Sequence, residues 1–232
     1  MMPRIDILTL FPNMFDGPLS ESMVRLAQKK GLVKIKVHNL RKWTHDLHRT
    51  CDDKPFGGGP GMVMKVEPIF KALRQIKKKA RAKSCVVMLT PRGKPFDQQA
   101  AKALSKKKHL IFVCGHYEGV DERVHEHLVD EEISIGDFIT TGGELPTLCV
   151  IDALVRLIPD VLGNIDSLSS ESFQNHLLEY PQYTRPHEFR GWKAPVILRS
   201  GVHRDIAKWR EAEALLKTRR YRPDLLKKRG EK

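Results

Sequence analysis

Residues 110–146 read LIFVCGHYEGVDERVHEHLVDEEISIGDFITTGGELP, and three glycine-bearing turns fall within them: Gly115 to Gly119, Gly136, and Gly142-Gly143. Each follows a short β-rich run. Glycine permits close backbone approach and positive φ without steric cost, so such loops can present bare N–H and C=O groups to a flat polar ligand such as a purine. The usual nucleotide cradles are absent: no G-x-G-x-x-G opens a βαβ unit, and there is no G-x-x-x-x-G-K-[ST]. Any one of these turns alone would read as an ordinary strand ending; three in succession favour a site. A second cluster, GGGPGM from Gly57 to Met62, offers a backbone nest but lacks the lysine and following helix of a phosphate loop. His116-Tyr117-Glu118 supplies the H-x-E half of a zinc nucleobase deaminase. The P-C-x-x-C half is missing, because Pro146-Thr147-Leu148-Cys149 does not provide it. His45 and His48 have no third ligand at a recognisable spacing, so no metal site is expected.

The elements that must carry these loops alternate along the first two thirds of the chain. Strands are predicted at Arg4 to Phe11, Val33 to Val37, Cys85 to Leu89 and Leu110 to Cys114. Helices are predicted at Leu19 to Lys30, stopped by Gly31, at Val66 to Lys79, and at Asp97 to Lys107, opened by its acidic residue. This rhythm implies an α/β fold with a largely parallel sheet covered by helices. After Leu157 the texture changes. GNIDSLSSESFQN (Gly163 to Asn175) is poor in hydrophobics and reads as a linker or loop. YPQYTRP (Tyr180 to Pro186) is not helical, and Val202 to Arg219 is an amphipathic helix with Ile206, Trp209 and Leu216 on one stripe. No internal repeat is present.

Composition bounds the function. The chain has 232 residues, long enough for a sizeable core, and its 41 Lys+Arg against 28 Asp+Glu give a net charge of +13. A polyanion, nucleic acid above all, is the partner this charge fits. From His203 to Lys232 there are 11 Lys/Arg and 5 Asp/Glu, with Trp209 and Tyr221 interleaved as stacking groups. The runs Lys77-Lys78-Lys79 with Arg81 and Lys83, and Lys106-Lys107-Lys108, fall at predicted helix ends, where they complement the helix dipole. Cys51, Cys85, Cys114 and Cys149 are far apart and read as reduced core thiols. No run is long enough for a membrane span and none resembles a signal peptide, so a cytoplasmic protein is expected.

Six collinear segments carry a resemblance. THDLHRTCDDKPFGGGPGMVM (Thr44 to Met64), LTPRGKPFDQ (Leu89 to Gln98), VCGHYEGVDERV (Val113 to Val124), SIGDFITTGGELP (Ser134 to Pro146), IPDVLGN (Ile158 to Asn164) and LLEYPQYTRP (Leu177 to Pro186) resemble the bacterial tRNA (guanine-N1)-methyltransferases of the SPOUT superfamily. The resemblance implies a deep trefoil knot that binds S-adenosylmethionine, and a homodimer whose subunits share each active site. It implies a catalytic domain over residues 1–162, a flexible linker over 163–176 and a basic helical tRNA-binding domain over 177–232. The substrate implied is a tRNA guanine just 3′ of the anticodon; no DNA partner and no membrane association are expected, and a magnesium requirement is allowed.

By the same resemblance the cofactor lies among Leu89, Thr90 and Pro91, among Gly115, Tyr117, Glu118 and Gly119, and among Ile135, Gly136, Asp137, Phe138, Ile139, Thr140, Gly142 and Gly143. His48, Arg49, Asp52, Gly57, Gly58 and Gly59 are candidates for the guanine pocket and RNA contacts, with Lys227, Lys228 and Arg229 as phosphate contacts. Methylation at N1 needs a base for the N1 proton and a cation or N–H donor for the charge developing toward O6. Arg156 matches the family arginine. The family places an aspartate directly before Ser-Phe in the linker, but this chain has Glu171 there, with Asp166-Ser167 five residues upstream as the fallback base. A non-enzymatic RNA-binding protein is the rival reading, which the charge alone permits.

Overall fold

The structure, a computed structural model, describes residues 2–80, 82–163 and 171–229. The chain divides into two compact units, Met1–Gly163 and Asn164–Lys232. Asp166, and Lys228 and Arg229 at the level of their side chains, lie outside what is described, as does Arg81.

The first unit is built on a five-stranded sheet of β1 (Arg4–Thr9), β2 (Lys34–Asn39), β5 (Cys85–Pro95), β6 (His109–Cys114) and β7 (Glu131–Ser134), in the order β2-β1-β6-β5-β7. Every pairing in it is parallel. The small strands β3 (Asp52–Asp53) and β4 (Val63–Met64) form a separate antiparallel pair. The helices are α1 (Asp16–Leu19), α2 (Ser22–Lys29), α3 (Val66–Lys78), α4 (Gln98–Ser105), α5 (Glu122–Leu128) and α6 (Glu144–Val155). They cover both sheet faces, as a parallel sheet requires. Ile5, Ile7, Val87, Leu89, Leu110 and Phe112 pack on one side with Ala27, Leu104, Val150 and Leu154. Their strand neighbours Leu8, Val86, Met88, Ile111 and Val113 pack on the other with Ile69, Leu73, Ile76 and Val124. The alternation is the period-2 geometry of a strand buried on both faces. β6, at the centre, is buried at every residue, whereas edge strand β2 alternates.

Local chemistry fixes the ends of these elements. Gly31, at φ +68°, follows α2, and the Asp97 carboxylate accepts the Ala100 N–H at 2.8 Å to cap α4. Lys77 and Lys78 occupy the last turn of α3, as expected of charges facing the helix dipole. The predicted strand at Cys85 to Leu89 continues to Pro95, past a register shift between Leu89 and Lys94 against β7. Gly93 makes that continuation possible, because a Cβ there would fall on the Ile133 backbone. Buried Asp6 links β1 to its neighbours, bonding His109 at 2.7 Å and His38 at 2.5 Å. Burial alone would raise its pKa, but hydrogen bonds from His109, His38 and Arg4 outweigh that and hold the carboxyl well below the usual carboxylate range.

Cys51, Cys85 and Cys114 are buried, and burial with Glu131 nearby pushes the Cys85 thiol up to about 11. Cys149 departs from the expected core thiol: it is exposed, on a face of α6 that the sheet does not cover.

The second unit holds a hairpin of β8 (Glu188–Phe189) and β9 (Trp192–Lys193), and helices α7 (His203–Tyr221) and α8 (Pro223–Arg229). Tyr180 to Pro186 is irregular, in line with its prolines. The stripe predicted on α7 is corrected: Leu216 is exposed, and Ala214 and Thr218 are the buried residues. The Thr218 hydroxyl explains the shift, because it accepts the Leu178 N–H at 2.8 Å and donates to the Ala214 carbonyl at 2.7 Å. A polar anchor thus decides which face docks. Among the described residues, no helix is long and apolar enough to cross a membrane.

Candidate functional site

In the sheet order β6-β5-β7, three adjacent parallel strands send their carboxyl ends to the same edge, the general location of ligand crevices in open α/β sheets. The glycine turns singled out in the sequence leave from there. Gly115 follows β6, Ile135 and Gly136 follow β7, and Leu89 to Pro91 lie at the irregular part of β5. These segments enclose one cavity of about 230 Å³. Its wall includes Leu89, Thr90, Pro91, Gly115, Tyr117, Glu118, Gly119, Ile135, Gly136, Phe138, Ile139, Thr140, Gly142 and Gly143. Asp137 is exposed and off the wall.

Backbone contacts lock the loops together. The Gly143 N–H donates to the Gly115 carbonyl at 2.8 Å, and His116 bridges Gly142. A Cβ on Gly143 would lie 2.9 Å from the Cys114 Cα and 3.0 Å from the Gly115 nitrogen, so this glycine is there for the close crossing of two backbones. Gly115 differs. A Cβ on it would meet only the ends of two side chains, Val120 at 3.3 Å and Met88 at 3.5 Å. Gly119 and Gly136, at φ +147° and +149°, adopt backbone that other residues rarely enter.

The second glycine cluster is joined to the first. The Glu118 N–H donates to the Met62 carbonyl at 3.0 Å, the Met64 N–H to the Gly119 carbonyl at 2.9 Å, and the Asp121 N–H to the Met64 carbonyl at 3.0 Å. A Cβ on Gly61 would strike the Glu118 side chain. Asp52 pairs with Met64 across β3 and β4, so the segment from His48 to Met64 is anchored beside the Tyr117 to Asp121 turn. Gly57, Gly58 and Gly59 are exposed with positive φ, and His48 and Arg49 are also exposed.

Sequence reasoning did not assign His125, Ser134 or Pro146 to the wall. It also missed Glu144, buried at the start of α6 behind the cavity, where it accepts the Thr9 hydroxyl at 2.7 Å. The signal available was an acidic residue heading the otherwise apolar run ELPTLCVI. Glu144 approaches His116 Nδ1, which is buried without a hydrogen-bond partner, to 3.9 Å. Burial first, and the Glu144 charge second, raise the Cys114 thiol far above its ordinary pKa, so it stays protonated.

Of the remaining candidates, Arg156 is not brought to the cavity. Arg156 follows the C-terminus of α6, while Gly143 precedes its N-terminus. Thirteen residues at about 1.5 Å each separate them by roughly 20 Å. Glu171 and Lys227 belong to the second unit. Among the described residues, no group of three or more His, Cys, Asp or Glu could hold a metal ion.

A wall of backbone loops with one carboxylate, Glu118, suits a flat polar ligand bearing positive charge. The sequence model of the family described as tRNA (Guanine-1)-methyltransferase TrmD matches residues 3–228. A tRNA (guanine-N(1)-)-methyltransferase of Dictyoglomus turgidum is 59% identical over 227 residues, covering 98% of this chain and 91% of its own. Relatives of the same name from Carboxydothermus hydrogenoformans and Geobacter sulfurreducens are 56% and 54% identical, over 98% and 97% of this chain and 88% and 91% of theirs. On this similarity through almost its whole length, the chain belongs to the tRNA (guanine-1)-methyltransferase family of enzymes.

Proposed function

We propose that this enzyme methylates N1 of the tRNA guanine just 3′ of the anticodon, with S-adenosylmethionine as methyl donor. The observation that carries the reading is the convergence of the glycine turns after β6 and β7, with Leu89 to Pro91 of the intervening β5 and Gly142-Gly143 before α6, on one cavity. The donor fits there: Gly119 leaves open space where another residue would place a Cβ, and Glu118 complements a sulfonium. When bound, it supplies an already activated methyl group.

The protein's own task is then to orient the guanine and manage one proton. Glu171 is the base that takes the N1 proton, and Asp166 is the fallback for that role. Arg156 stabilises the charge that develops on O6. Because Arg156 stands roughly 20 Å along α6 from the cavity of its own chain, a homodimer completes the site, with the partner's Arg156 serving it. Apolar surface at the cavity rim supports this arrangement: Phe138 is 56%, Ile139 81% and Leu145 54% exposed. In the same reading the loop passage locked at Gly143 belongs to a trefoil knot in a catalytic domain over residues 1–162. Residues 163–176 link it to a tRNA-binding domain over 177–232, whose Lys227, Lys228 and Arg229 meet phosphates. His48, Arg49, Asp52 and Gly57 to Gly59 shape the guanine pocket, the reading allows a magnesium requirement, and the enzyme works in the cytoplasm.

Calorimetry tests the donor site. Titration with S-adenosylmethionine should show saturable binding that Gly115→Val weakens. No binding to folded protein would leave a non-enzymatic RNA-binding role as the surviving account.

A further inference from the structure

We propose that the β8–β9 hairpin is a base-stacking tip, on which Phe189 and Trp192 receive an unpaired nucleobase of the tRNA while neighbouring basic side chains meet its phosphates. This deepens the function proposed above and rests on tRNA being the substrate.

The ribbon sorts its residues by face. Glu188 pairs with Lys193 and Phe189 with Trp192, and the Ala194 N–H donates to the His187 carbonyl at 2.9 Å to close the ladder. Arg190 and Gly191 form the two-residue loop, both at positive φ (52° and 83°), the conformation that matches the twist of a tight hairpin. Directly opposed residues share a face, and successive pairs alternate. One face is therefore aromatic. The other carries the Glu188–Lys193 ion pair at 3.7 Å.

The aromatic face is exposed beyond what packing requires. Trp192 is 72% exposed and Phe189 54%; their ring centroids lie 6.0 Å apart at 58°, so each leaves π surface open to solvent. The Arg190 guanidinium sits 5.5 Å from the Phe189 centroid. Arg185, Arg190, Lys193 and Arg199 stand against Glu188 alone between residues 185 and 199, which suits a polyanion. Aromatic faces interleaved with cations are the chemistry by which proteins hold unpaired nucleotides, bases on rings and phosphates on charges.

A lone two-stranded hairpin is marginal in water, so the tip needs a held base. The preceding segment supplies it. The Arg210 guanidinium of α7 lies 4.7 Å from the Tyr180 ring, and Tyr183 stands 6.5 Å from Trp209, fastening residues 180–183 to that helix.

The test compares wild type with W192A, F189A and W192F in full-length protein, using unmodified tRNA transcript for steady-state methylation and for equilibrium binding. W192A and F189A should each raise the tRNA KM and Kd about tenfold, near the low end for loss of one base stack. Saturating kcat and S-adenosylmethionine affinity should stay at wild-type values, and W192F should recover most of the loss. Unchanged tRNA Kd and KM in the W192A/F189A double variant would overturn the proposal. So would a shift in oligomeric state by sedimentation that accounts for the weaker binding, since the pair would then be an interface between copies. Should W192A not fold, R190Q serves instead: its tRNA binding should show a log–log salt slope shallower by about 0.7 to 0.9, and an identical slope would refute the phosphate contacts. Direct binding reads the tip even if methylation itself fails, so the two readings can fall separately.

Discussion

By resemblance, Glu171 stands where the family places an aspartate before Ser-Phe, and the added methylene moves the carboxylate by more than an ångström while keeping the same functional group. If Glu171 takes the N1 proton, Glu171→Gln keeps side-chain size and cofactor binding and lowers the single-turnover methylation rate by roughly 10² to 10⁴. Asp166→Asn should leave that rate near wild type. The opposite pattern, full activity in Glu171→Gln and loss in Asp166→Asn, would move the base five residues upstream. The role proposed for Glu171 rests on resemblance, because a linker carboxylate without a motif reads as a solvated charge. Glu144 shows the converse limit. Its residue type was visible, but burial and the bond to Thr9, 135 positions away in sequence, are products of the tertiary fold.

Glycines divide by what surrounds them, and the division belongs to the elements that cross at each one. Gly143 lies where the approach to α6 passes the end of β6 and faces backbone atoms, whereas Gly115 faces the methyl groups of Val120 and Met88. The sequence alone would assign both to ligand contact. The structure predicts different outcomes: Gly143→Ala lowers thermal stability and soluble yield, because backbone cannot yield as side chains do. Gly115→Val should melt close to wild type and lose cofactor affinity in calorimetry. Equal melting temperatures for the two variants would contradict the close crossing at Gly143.

Parallel strands β1, β5 and β6 were readable from apolar runs, and α4 from its acidic cap, since period and capping are local signals. The continuation of β5 to Pro95 and the buried face of α7 were not, because pairing with β7 and the Leu178–Thr218 bond decided them.

At the scale of the whole molecule, the distance from Arg156 to the cavity of its own chain is what makes association part of the proposed mechanism. Glu171→Gln and Arg156→Ala chains, each inactive alone, should regain activity when mixed and allowed to exchange subunits, because one hybrid site then holds both residues intact. No recovery under conditions where exchange is demonstrated would place both residues on one chain. The basic composition was readable at once and pointed to nucleic acid. The proposed join between two chains was not, for a sequence does not show which apolar residues are exposed on the folded surface. The most direct measurement of the central claim is methylation of an unmodified tRNA transcript with labelled S-adenosylmethionine, followed by nucleoside analysis and fragment mapping. The account predicts 1-methylguanosine at the guanine 3′ of the anticodon and none when that guanine is replaced. Absence of 1-methylguanosine, or its appearance only at another position, would contradict it.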